Sequence, residues 1–568
     1  MDMPKERRWR LKSEVAQNTT VTGSILAKVL ENRGITSPDD IRSFLNPSLA
    51  DLSDPFLMKG VTEAVDRLIA AKRTGEIVCI HGDYDVDGVS AVALLTAFFR
   101  AVAIPVCYVI PKRLEDGYGL STDGVDEAVR LGAKVLITVD CGITSVNEAA
   151  YCLDRGIDLI ITDHHTPGEL LPSALAVINP LQPGCAAPFN KLAGVGLAFK
   201  LAMAIRSRMR AEGYFDSIAE PNLREYLDLA ALGTIADLVP LVGENRVIAA
   251  FGLKELSARR RIGINALKAV SSVNGDVTAG DVGFRLAPRL NASGRLDDAK
   301  RGVELLLTSE IETADALADE LDSANSERQQ IEKEILADAL ERLQSDSTLN
   351  GRTAIVMASD SWHPGVIGIV ASRVVERYFR PTVLIALQNG IGKGSGRSIP
   401  VFHLYKALAA SSEHLLNFGG HQQAAGLTIS EDKLNLFYGD FDSYAAAMLS
   451  EEDLVPQINV DAEISVAGID ESLLEEINQL RPFGMGNPEP VFLVRGLEIA
   501  DSRVLKDAHL KLRLKKDGKV LDAIGFNMAK VNISGNMVDI LFTVDRNEWN
   551  GRVTMQLKLK DIRSSDGA

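Results

Sequence analysis

Short apolar runs alternate with helical segments in the first third of the chain, and this alternation constrains the fold more than any other feature. Segments such as 61–75 and 90–102 repeat apolar residues at helical spacing. The apolar runs between the helical segments lie at 77–83, 105–111, 135–140, 159–165 and 174–180. Continuous apolar runs suit strands that are buried on both faces. The pattern therefore predicts βαβ units around a parallel sheet.

The rest of the 568-residue chain is long enough for further domains. A charged stretch without Pro or Gly at 310–345 predicts a connecting helix. Short alternating strands with polar turns near the end predict a small antiparallel β-barrel. The predicted domains are an N-terminal helical cap (1–60), a parallel-sheet domain (61–300), the connecting helix (301–349), a second α/β domain (350–455) and the barrel (456–568).

Composition excludes several classes of protein. The formal net charge of −16 excludes a uniformly basic nucleic-acid coat protein, although a local basic groove remains compatible with it. The longest apolar stretches, about nine residues, are half of what a membrane span needs. The segment MDMPKERRWRLKSE lacks the apolar core of a signal peptide. Five Cys without a CxxC pair are typical of a reducing compartment, so we expect a cytoplasmic protein.

Three acidic and histidine clusters follow predicted strands. The first is His81, Asp83, Asp85 and Asp87, the second is Asp140, and the third is Asp163, His164 and His165. In an extended segment, residues two apart point to the same side, so the first cluster is expected to face one space. Ligands of open parallel sheets bind outside the carboxyl ends of the strands, and the three clusters should converge there.

This convergence predicts a metal site. Carboxylates so close together repel one another unless cations neutralise them. Asp and His ligands without Cys suit Mn²⁺ or Mg²⁺ better than structural zinc. Two such ions about 3.5–4 Å apart can clamp the oxygens of a phosphoryl displacement. A single Asp at a strand end is more often a helix cap, but three clusters that contain three of the eight His favour the metal site.

Several motifs resemble a known family. HGDYDVDG, ITVDCG, TDHH and LGTIADLVPL resemble the motifs of the DHH phosphoesterase superfamily, and GGHQQAAG resembles the glycine-rich motif of its associated DHHA1 domain. APRLNASGR, WHPGVIGIVASR, KGSGRS and PFGMGNPEPVF narrow the resemblance to the RecJ family of single-strand-specific DNA exonucleases. The resemblance spans nearly the whole chain, in the expected order of motifs.

The resemblance implies the roles of individual residues at two divalent cations, Mn²⁺ or Mg²⁺. The implied ligands are His81, Asp85 and Asp140 for one ion, and Asp87, Asp140, His164 and Asp237 for the other. Asp83 and Asp163 would orient these ligands, and His165 would stabilise the scissile phosphate or donate a proton to it. Adjacent side chains at a strand end point in opposite directions, so His165 is expected to turn away from the ion that His164 holds. Without the resemblance, Asp237 is an ordinary exposed Asp.

Substrate contacts are implied in the same way. The candidates are Arg113, Arg289, Asn291, Arg295, Arg373, Ser395, Arg397, Gly419, Gly420 and His421. Arginine can bind phosphate through two hydrogen bonds, and glycines let backbone amides approach a phosphate. Residues 393–398 are expected to form a Gly/Ser loop. Considered alone, the Gly pair with His421 is more often a turn, Arg373 is compatible with a surface charge, and Arg113 is a weaker candidate. The resemblance favours the substrate role.

The predicted barrel contains a basic segment. Residues 503–530 hold eight Lys and Arg against three Asp. Together with the family resemblance this predicts an OB-like groove for single-stranded DNA, in which cations meet phosphates and aromatic rings stack on bases. Aromatic residues are few here, namely Phe526, Phe542 and Trp549, and a solvated charged hairpin is the simpler alternative.

The resemblance implies a 5′→3′ exonuclease that releases mononucleotides from single-stranded DNA during recombination and repair. A helicase and a single-strand-binding protein are the expected partners, and no membrane is involved. One alternative is a phosphodiesterase for short oligonucleotides or cyclic dinucleotides, although such substrates need neither the connecting helix nor the basic block. The other is a non-catalytic single-strand-binding replication scaffold, which the complete set of implied metal ligands argues against.

Overall fold

The computed structural model describes residues 7–12, 24–111, 119–258, 260–296, 298–345, 351–549 and 552–565. The chain forms two compact units. The first unit comprises Pro38–Glu327 together with Leu480–Pro488, and the second comprises Met1–Ser37, Arg328–Gln479 and Glu489–Ala568. None of the described helices is both long enough and apolar enough to cross a bilayer.

The first unit is built on a five-stranded parallel sheet, which confirms the predicted βαβ architecture. Its strands in spatial order are Val106–Val109, Ile77–Gly82, Ala133–Val139, Asp158–Thr162 and Ala176–Ile178. The strand Val106–Val109, which follows Ile77–Gly82 in sequence, pairs with one edge of Ile77–Gly82. The next strand, Ala133–Val139, pairs with the opposite edge of Ile77–Gly82. The carboxyl ends of these two strands therefore flank the point where strand order reverses, which is where open sheets bind ligands.

Helices cover both faces of this sheet. Val86–Ala101 is buried along nearly its whole length, because its sequence is apolar on every side. The α-helices of the first unit are Pro38–Leu45, Val61–Thr74, Val86–Ala101, Thr122–Arg130, Val146–Asp154, Gly194–Ala211, Leu227–Ala236, Gly243–Ser257, Ile262–Val270, Ala279–Asp281, Ala287–Leu296 and Lys300–Leu307. A π-helical turn, Val282–Leu286, precedes Ala287–Leu296. The largest apolar core of the described residues lies between these helices and the sheet.

The segment Leu480–Pro488 packs into the first unit although it is distant in sequence. The Arg246 side chain is only 2% exposed, and its guanidinium lies 3.9 Å from the centroid of the Phe44 ring. Arg246 donates hydrogen bonds to the backbone carbonyls of Leu480 (3.0 Å) and Arg481 (2.9 Å). The buried guanidinium thus satisfies carbonyls that would otherwise be desolvated without a partner. The segment Leu480–Pro488, hereafter the strap, is therefore an integral part of this unit.

The second unit contains a mixed five-stranded sheet. In spatial order its strands are Leu415–Gly420, Ala424–Ser430, Ile391–Arg397, Thr382–Gln388 and Ile355–Ser359, of which only the last two are parallel to each other. The α-helices of this unit are Ile25–Glu31, Ile367–Tyr378, Leu404–Ala410, Leu434–Met448 and Glu471–Asn478. The connecting helix, Ile311–Ser345, is 35 residues long, as its charged pattern predicts, and the boundary between the units falls within it.

The last part of the chain forms the predicted β-barrel. Its strands are Phe492–Leu505, His509–Lys516, Lys519–Gly525, Met537–Trp549 and Arg552–Ser564. Pairing of Phe492–Leu505 with Met537–Trp549 closes the five strands, and the short strand Ala462–Glu463 extends the sheet. The N-terminal segment, for which the sequence predicts only helices, also contributes a strand. Arg8–Leu11 pairs in parallel with Gln457–Val460.

Candidate metal centre and strand-binding surfaces

The first acidic cluster is arranged by the end of a strand and the start of a helix. The strand ends at Gly82, so the strand alternation expected from the sequence reaches only His81. Asp85 instead caps the helix Val86–Ala101, because its carboxylate accepts hydrogen bonds from the amides of Asp87 (2.9 Å) and Gly88 (3.1 Å). Asp87 lies in the first helical turn. The cluster therefore gathers at the sheet edge by helix capping and not by strand geometry.

Asp87 is held by the start of another helix. Its two carboxylate oxygens accept hydrogen bonds from the amides of Gly194 (2.6 Å) and Val195 (2.8 Å), the first residues of Gly194–Ala211. The positive end of a helix stabilises a carboxylate there. Burial and the neighbouring charge of Asp85 nevertheless raise the pKa of Asp87 to about 7. Asp87 thus has a fixed position but needs further positive charge nearby to ionise fully.

Asp140 lies at the centre of the site. It follows the strand Ala133–Val139 in a left-handed conformation, with φ of 62°, which Asp tolerates better than most residues. Its Oδ1 lies 3.1 Å from His164 Nε2 but accepts no hydrogen bond of good geometry from the described residues. Burial, together with the charges of Asp87 and Asp85, raises the pKa of Asp140 well above its usual range. This buried oxygen is suited to a cation.

Asp163 fixes the position of His165. One Asp163 oxygen accepts a hydrogen bond from Ile143 N (2.9 Å), and the other lies 2.7 Å from His165 Nδ1. Burial lowers the pKa of His165, but the hydrogen bond and charge of Asp163 outweigh burial and raise this pKa to about 9. The strand ends at Thr162, so strand alternation does not separate His164 from His165. Their ring centroids lie 4.4 Å apart, and both rings line the same site.

Asp237 closes the site from the helical layer. It follows the helix Leu227–Ala236, and its Oδ2 lies 3.7 Å from His164 Nε2. Burial and the charges of Asp87 and Asp85 raise the pKa of Asp237 to about 9. The strap supports the loop that follows, because Leu241 N donates a hydrogen bond to Met485 O at 2.7 Å. Asp237 is therefore half-buried beside the other carboxylates, although its local sequence predicts ordinary exposure.

Several possible ligand atoms lie within 4.8 Å of one another. These groups are Asp83, Asp85 and Asp140; Asp87, His164 and Asp237; and Asp140, His164 and His165. Asp140 joins two of the groups, which is compatible with a bridging role. His81, fully buried, has its Nε2 3.2 Å from Gly119 O and belongs to none of these groups. The raised pKa values of Asp87, Asp140 and Asp237 fit residues that require cations to carry their charge.

The substrate candidates of the first unit differ in their local contacts. The Arg289 guanidinium pairs with Asp322 at 2.7 Å and donates to Arg285 O. Asn291 Oδ1 accepts a hydrogen bond from Val86 N at 3.1 Å and thereby braces the helix that begins beside Asp85. Arg295 is half-buried on the same helix as Asn291, Ala287–Leu296. Arg113 lies outside the described residues.

The candidates of the second unit lie on a sheet surface and a helix. Ser395 and Arg397 belong to the strand Ile391–Arg397, so the expected Gly/Ser loop is wrong: the small residues at 392–396 form a regular ladder with both neighbouring strands. Arg397 Nη1 lies 3.2 Å from Ser395 Oγ. On the helix Ile367–Tyr378, the half-exposed Arg373 pairs with Glu332 and Glu376.

The glycine-rich motif forms a hairpin. Gly419 and Gly420 end the strand Leu415–Gly420 and pair with Gly426 and Ala425. His421 follows in the exposed turn and donates its backbone amide to Ala424 O at 2.8 Å. The glycines are thus partly engaged in a β-ladder and leave an exposed, side-chain-free surface beside His421.

The barrel carries a surface that combines positive charge with an aromatic ring. Arg503 and Lys511 occupy directly opposed positions on neighbouring strands, and Arg503 also pairs with Asp501 at 3.1 Å. Phe526 is 52% exposed, and its ring centroid lies 5.3 Å from that of His509. We call Arg503, His509, Lys511 and Phe526 the basic–aromatic patch. Its composition suits a single strand of nucleic acid.

Sequence reasoning missed residues that shape the site without charge. A Cβ at Gly194 would lie 2.6 Å from the Cβ of Asp140, and a Cβ at Gly233 would lie 2.7 Å from Asp87 Oδ1. Asn179 holds the loop of the third cluster by donating to His165 O at 2.9 Å. These are contacts between segments far apart in sequence, and no local signal in a single sequence identifies them.

Known proteins resemble this chain over nearly its full length. The families described as "DHH family, N-terminal domain", "DHHA1 domain" and "RecJ OB domain" match residues 77–234, 350–447 and 460–561. The chain is 39% identical over 550 residues to the single-stranded-DNA-specific exonuclease RecJ of Bacillus subtilis (strain 168), covering 95% of this chain and 68% of that protein. The corresponding protein of Escherichia coli (strain K12) is 38% identical over 557 residues, covering 95% of each chain. The crystal structure of RecJ in complex with Mn²⁺ from Thermus thermophilus matches with a TM-score of 0.83 at 33% identity, covering 99% of this chain and 80% of that chain.

The close contact of Gly233 generates a testable prediction. Gly233→Ala places a methyl group against Asp87 and Val195, so Asp87 must move, and we expect Mn²⁺ affinity to fall about tenfold or more. Free Mn²⁺ measured by electron paramagnetic resonance reports this affinity. Gly439→Ala is the matched control, because Gly439 lies in the helix Leu434–Met448 with open space around its missing Cβ. A folded Gly233→Ala protein with unchanged Mn²⁺ affinity would show that Asp87 is not a critical part of the centre.

Proposed function

This chain belongs to the RecJ family of single-stranded-DNA-specific exonucleases, and on that premise we propose that it is a metal-dependent hydrolase that removes mononucleotides from the 5′ end of single-stranded DNA. The observation that carries this proposal is the gathering of five carboxylates and two imidazoles at the switch point of the parallel sheet, with ligand atoms within 4.8 Å of one another inside each group. Structures of relatives bound to Mn²⁺ and to Mg²⁺ support divalent cations at such a centre.

The proposal extends to the cellular setting. Hydrolysis of single strands from one end suits recombination and repair, in which such strands arise. We propose a cytoplasmic protein that works with a helicase, which would supply single strands, and with a single-strand-binding protein, which would cover them. These partners follow from family membership alone.

The residues assigned to two cations are the implied ligands named above. His81, Asp85 and Asp140 would hold one ion, and Asp87, Asp140, His164 and Asp237 would hold the other, with Asp140 between them. Bound Mn²⁺ or Mg²⁺ would activate a water molecule for attack and neutralise the charge that develops on the phosphoryl oxygens. Asp83 and Asp163 would hold neighbouring groups in place, as the hydrogen bonds of Asp163 to Ile143 and His165 support.

His165 is suited to act on the phosphate. The hydrogen bond and charge of Asp163 outweigh burial and raise the pKa of His165 to about 9, which favours a protonated imidazole at neutral pH. The hydrogen bond between Asp163 and His165 Nδ1 directs the other ring nitrogen away from Asp163. The side chain is 31% exposed, so a phosphate can reach it. We assign His165 to stabilise the scissile phosphate by hydrogen bonding or to protonate the leaving oxygen.

The second unit would bind the strand. Arg373, Ser395, Arg397 and the glycine-rich hairpin present cations and exposed backbone suited to phosphates. The basic–aromatic patch adds two opposed cations and an exposed ring on the barrel. Phosphate binding by cations and base stacking on aromatic rings together give affinity that does not depend on sequence. In the first unit, Arg289, Asn291 and Arg295 remain proposed contacts, as does Arg113.

A substrate panel tests the proposed activity. The full chain with Mn²⁺ is incubated with an end-labelled single strand, the corresponding duplex and a dinucleotide. We expect rapid release of mononucleotides from the single strand and little consumption of the other two. Consumption of the dinucleotide alone would instead support a phosphodiesterase for small substrates. Failure to hydrolyse any of the three would support the non-catalytic scaffold.

Substitutions of Asp140 and of His165 should have different effects on metal content and on turnover. Asp140→Ala removes a ligand from both proposed ions, so metal content and activity should fall together. His165→Ala should keep near-normal metal content and lose about 10²–10⁴ in turnover, the usual scale for one acid–base or electrostatic group. Metal is counted by inductively coupled plasma mass spectrometry beside the turnover assay. Because both His rings line the site, loss of metal in His165→Ala would identify His165 as a ligand and reject the assigned role.

The basic–aromatic patch is tested by binding in the presence of a chelator, which prevents hydrolysis. Arg503→Gln/Lys511→Gln should lower the slope of log affinity against log salt by about 1.4, since each of the two single-strand phosphate contacts contributes roughly 0.7. Phe526→Ala should weaken binding by about 1–3 kcal/mol, the usual contribution of one stacked base, without changing the slope. Truncation is unsuitable because the strap belongs to the first unit.

The matched control is Arg42→Gln/Arg130→Gln. It removes two arginines whose side chains are 74% and 69% exposed to solvent. These arginines are remote in sequence from the barrel and change the net charge equally. An equal decrease of the slope in the control and in the patch variant would show that the decrease reflects the net charge of the protein and not contacts of the patch with DNA. Unchanged affinity in both patch variants would show that the patch does not bind the strand.

A further inference from the structure

A cavity of about 730 Å³ in the second unit is lined by eight residues, four of which are arginines. Its walls come from four separate parts of the chain: the N-terminal segment, Arg380 before the strand Thr382–Gln388, the segment that follows the helix Leu434–Met448, and the final barrel strand. The charged and aromatic residues that line it are Arg7, Arg8, Trp9, Arg380, Glu451 and Arg563. None of them belongs to the unit that holds the carboxylate cluster.

The Trp9 side of the cavity is held in place by several contacts. The strand Arg8–Leu11 pairs with Gln457–Val460, and Trp9 Nε1 donates to Asp561 at 2.7 Å. The Arg563 guanidinium lies 4.0 Å from the centroid of the Trp9 ring, a close cation–π contact. The same guanidinium also donates to Arg7 O. The indole and two arginines are thus positioned together before any ligand arrives.

The cavity carries more positive charge than its walls neutralise. Arg8 has a partner in Glu452 at 3.4 Å. Within the described part of the chain, no carboxylate lies within 4.0 Å of the guanidinium groups of Arg7, Arg380 or Arg563. Arg380 is half-buried and directs its donors to main-chain carbonyls such as Arg352 O and Leu454 O. Because the chain as a whole carries −16, this local excess of cations is not a reflection of its composition.

These features define the chemistry of a ligand. Guanidinium groups bind phosphate through paired hydrogen bonds. Arg7, Arg8 and Arg563 are exposed and Arg380 is half-buried, so an anion in the cavity can reach their donors. The Trp9 ring packs against the apolar cluster of Val460, Leu493 and Leu541 and contacts Arg563, and its exposed part offers an apolar surface to a base. The cavity volume falls in the range of small-molecule sites. A simple acidic peptide would satisfy the arginines but would make no use of the ring.

We propose that this cavity binds a nucleotide through its phosphate and its base, either as a free mononucleotide or as part of a single strand. The nature of the ligand rests on the proposed function, which consumes single strands and releases mononucleotides. The site itself rests only on the arginines, the indole and their contacts.

Trp9 provides the measurement, because it is the one of the three Trp that lines the cavity in the described part of the chain. The full chain in EDTA is titrated with deoxythymidine monophosphate, with a non-hydrolysable phosphorothioate dT 20-mer, with inorganic phosphate and with a short polyglutamate peptide. Tryptophan fluorescence should change saturably with the mononucleotide or the 20-mer, and Trp9→Phe should abolish this change. Saturation by the mononucleotide identifies a free-nucleotide site, whereas saturation by the 20-mer alone identifies a strand site.

Variants separate the cavity from general charge. Arg7→Gln/Arg563→Gln should weaken binding at least tenfold, and Arg380→Gln provides a second variant if the first one folds poorly. Arg42→Gln, outside the cavity, should bind as the unchanged chain does. The proposal is overturned if no phosphate ligand alters Trp9 fluorescence, if inorganic phosphate or polyglutamate binds as tightly as the nucleotide, or if the cavity variants retain full affinity. Hydrolysis of a single strand with Mn²⁺, measured on the same preparation, reports separately on the proposed function.

Discussion

The first unit places several carboxylates side by side and largely out of water, and the rest of its structure must compensate for their mutual repulsion. Asp87 and Asp140 are each 1% exposed, and Asp83 is 3% exposed. Such an arrangement opposes folding unless each charge is stabilised. The protein meets this requirement in part with its backbone: the start of Gly194–Ala211 binds Asp87, and the Ile143 amide binds Asp163. What the backbone leaves uncompensated, above all at Asp140, is the basis for assigning cations to the site.

Close packing then keeps the cluster in one geometry. Glycines at 194 and 233 let two helices approach Asp140 and Asp87 more closely than any side chain would allow. The strap adds a second level of support, because it binds the loop after Asp237 and is itself bound by the buried Arg246. A segment adjoining the barrel in sequence thereby stabilises the candidate centre. This dependence explains why Leu480–Pro488 belongs to the first unit although the residues on either side of it belong to the second.

The sequence predicts the parallel sheet, the connecting helix and the barrel correctly, because each depends on local periodicity. It also locates His81, Asp140 and Asp163 at strand ends. It cannot show that strand order reverses beside Ile77–Gly82, nor that Asp237 packs against His164, since both depend on contacts between distant segments. The prediction that His164 and His165 point apart is wrong for a local reason: the strand ends at Thr162, and strand geometry no longer applies.

We infer that the buried, mutually repelling carboxylates are maintained for cation binding at the expense of stability. Thermal unfolding of the full chain and of Asp140→Asn, each with a chelator and with increasing Mn²⁺, tests it most directly. We expect the melting temperature of the unchanged chain to rise with Mn²⁺. Asp140→Asn, which removes the central charge, should melt higher than the unchanged chain in the chelator and respond little to Mn²⁺. The inference would be contradicted if Asp140→Asn melted at a lower temperature than the unchanged chain in the chelator and still showed the full rise in melting temperature with Mn²⁺.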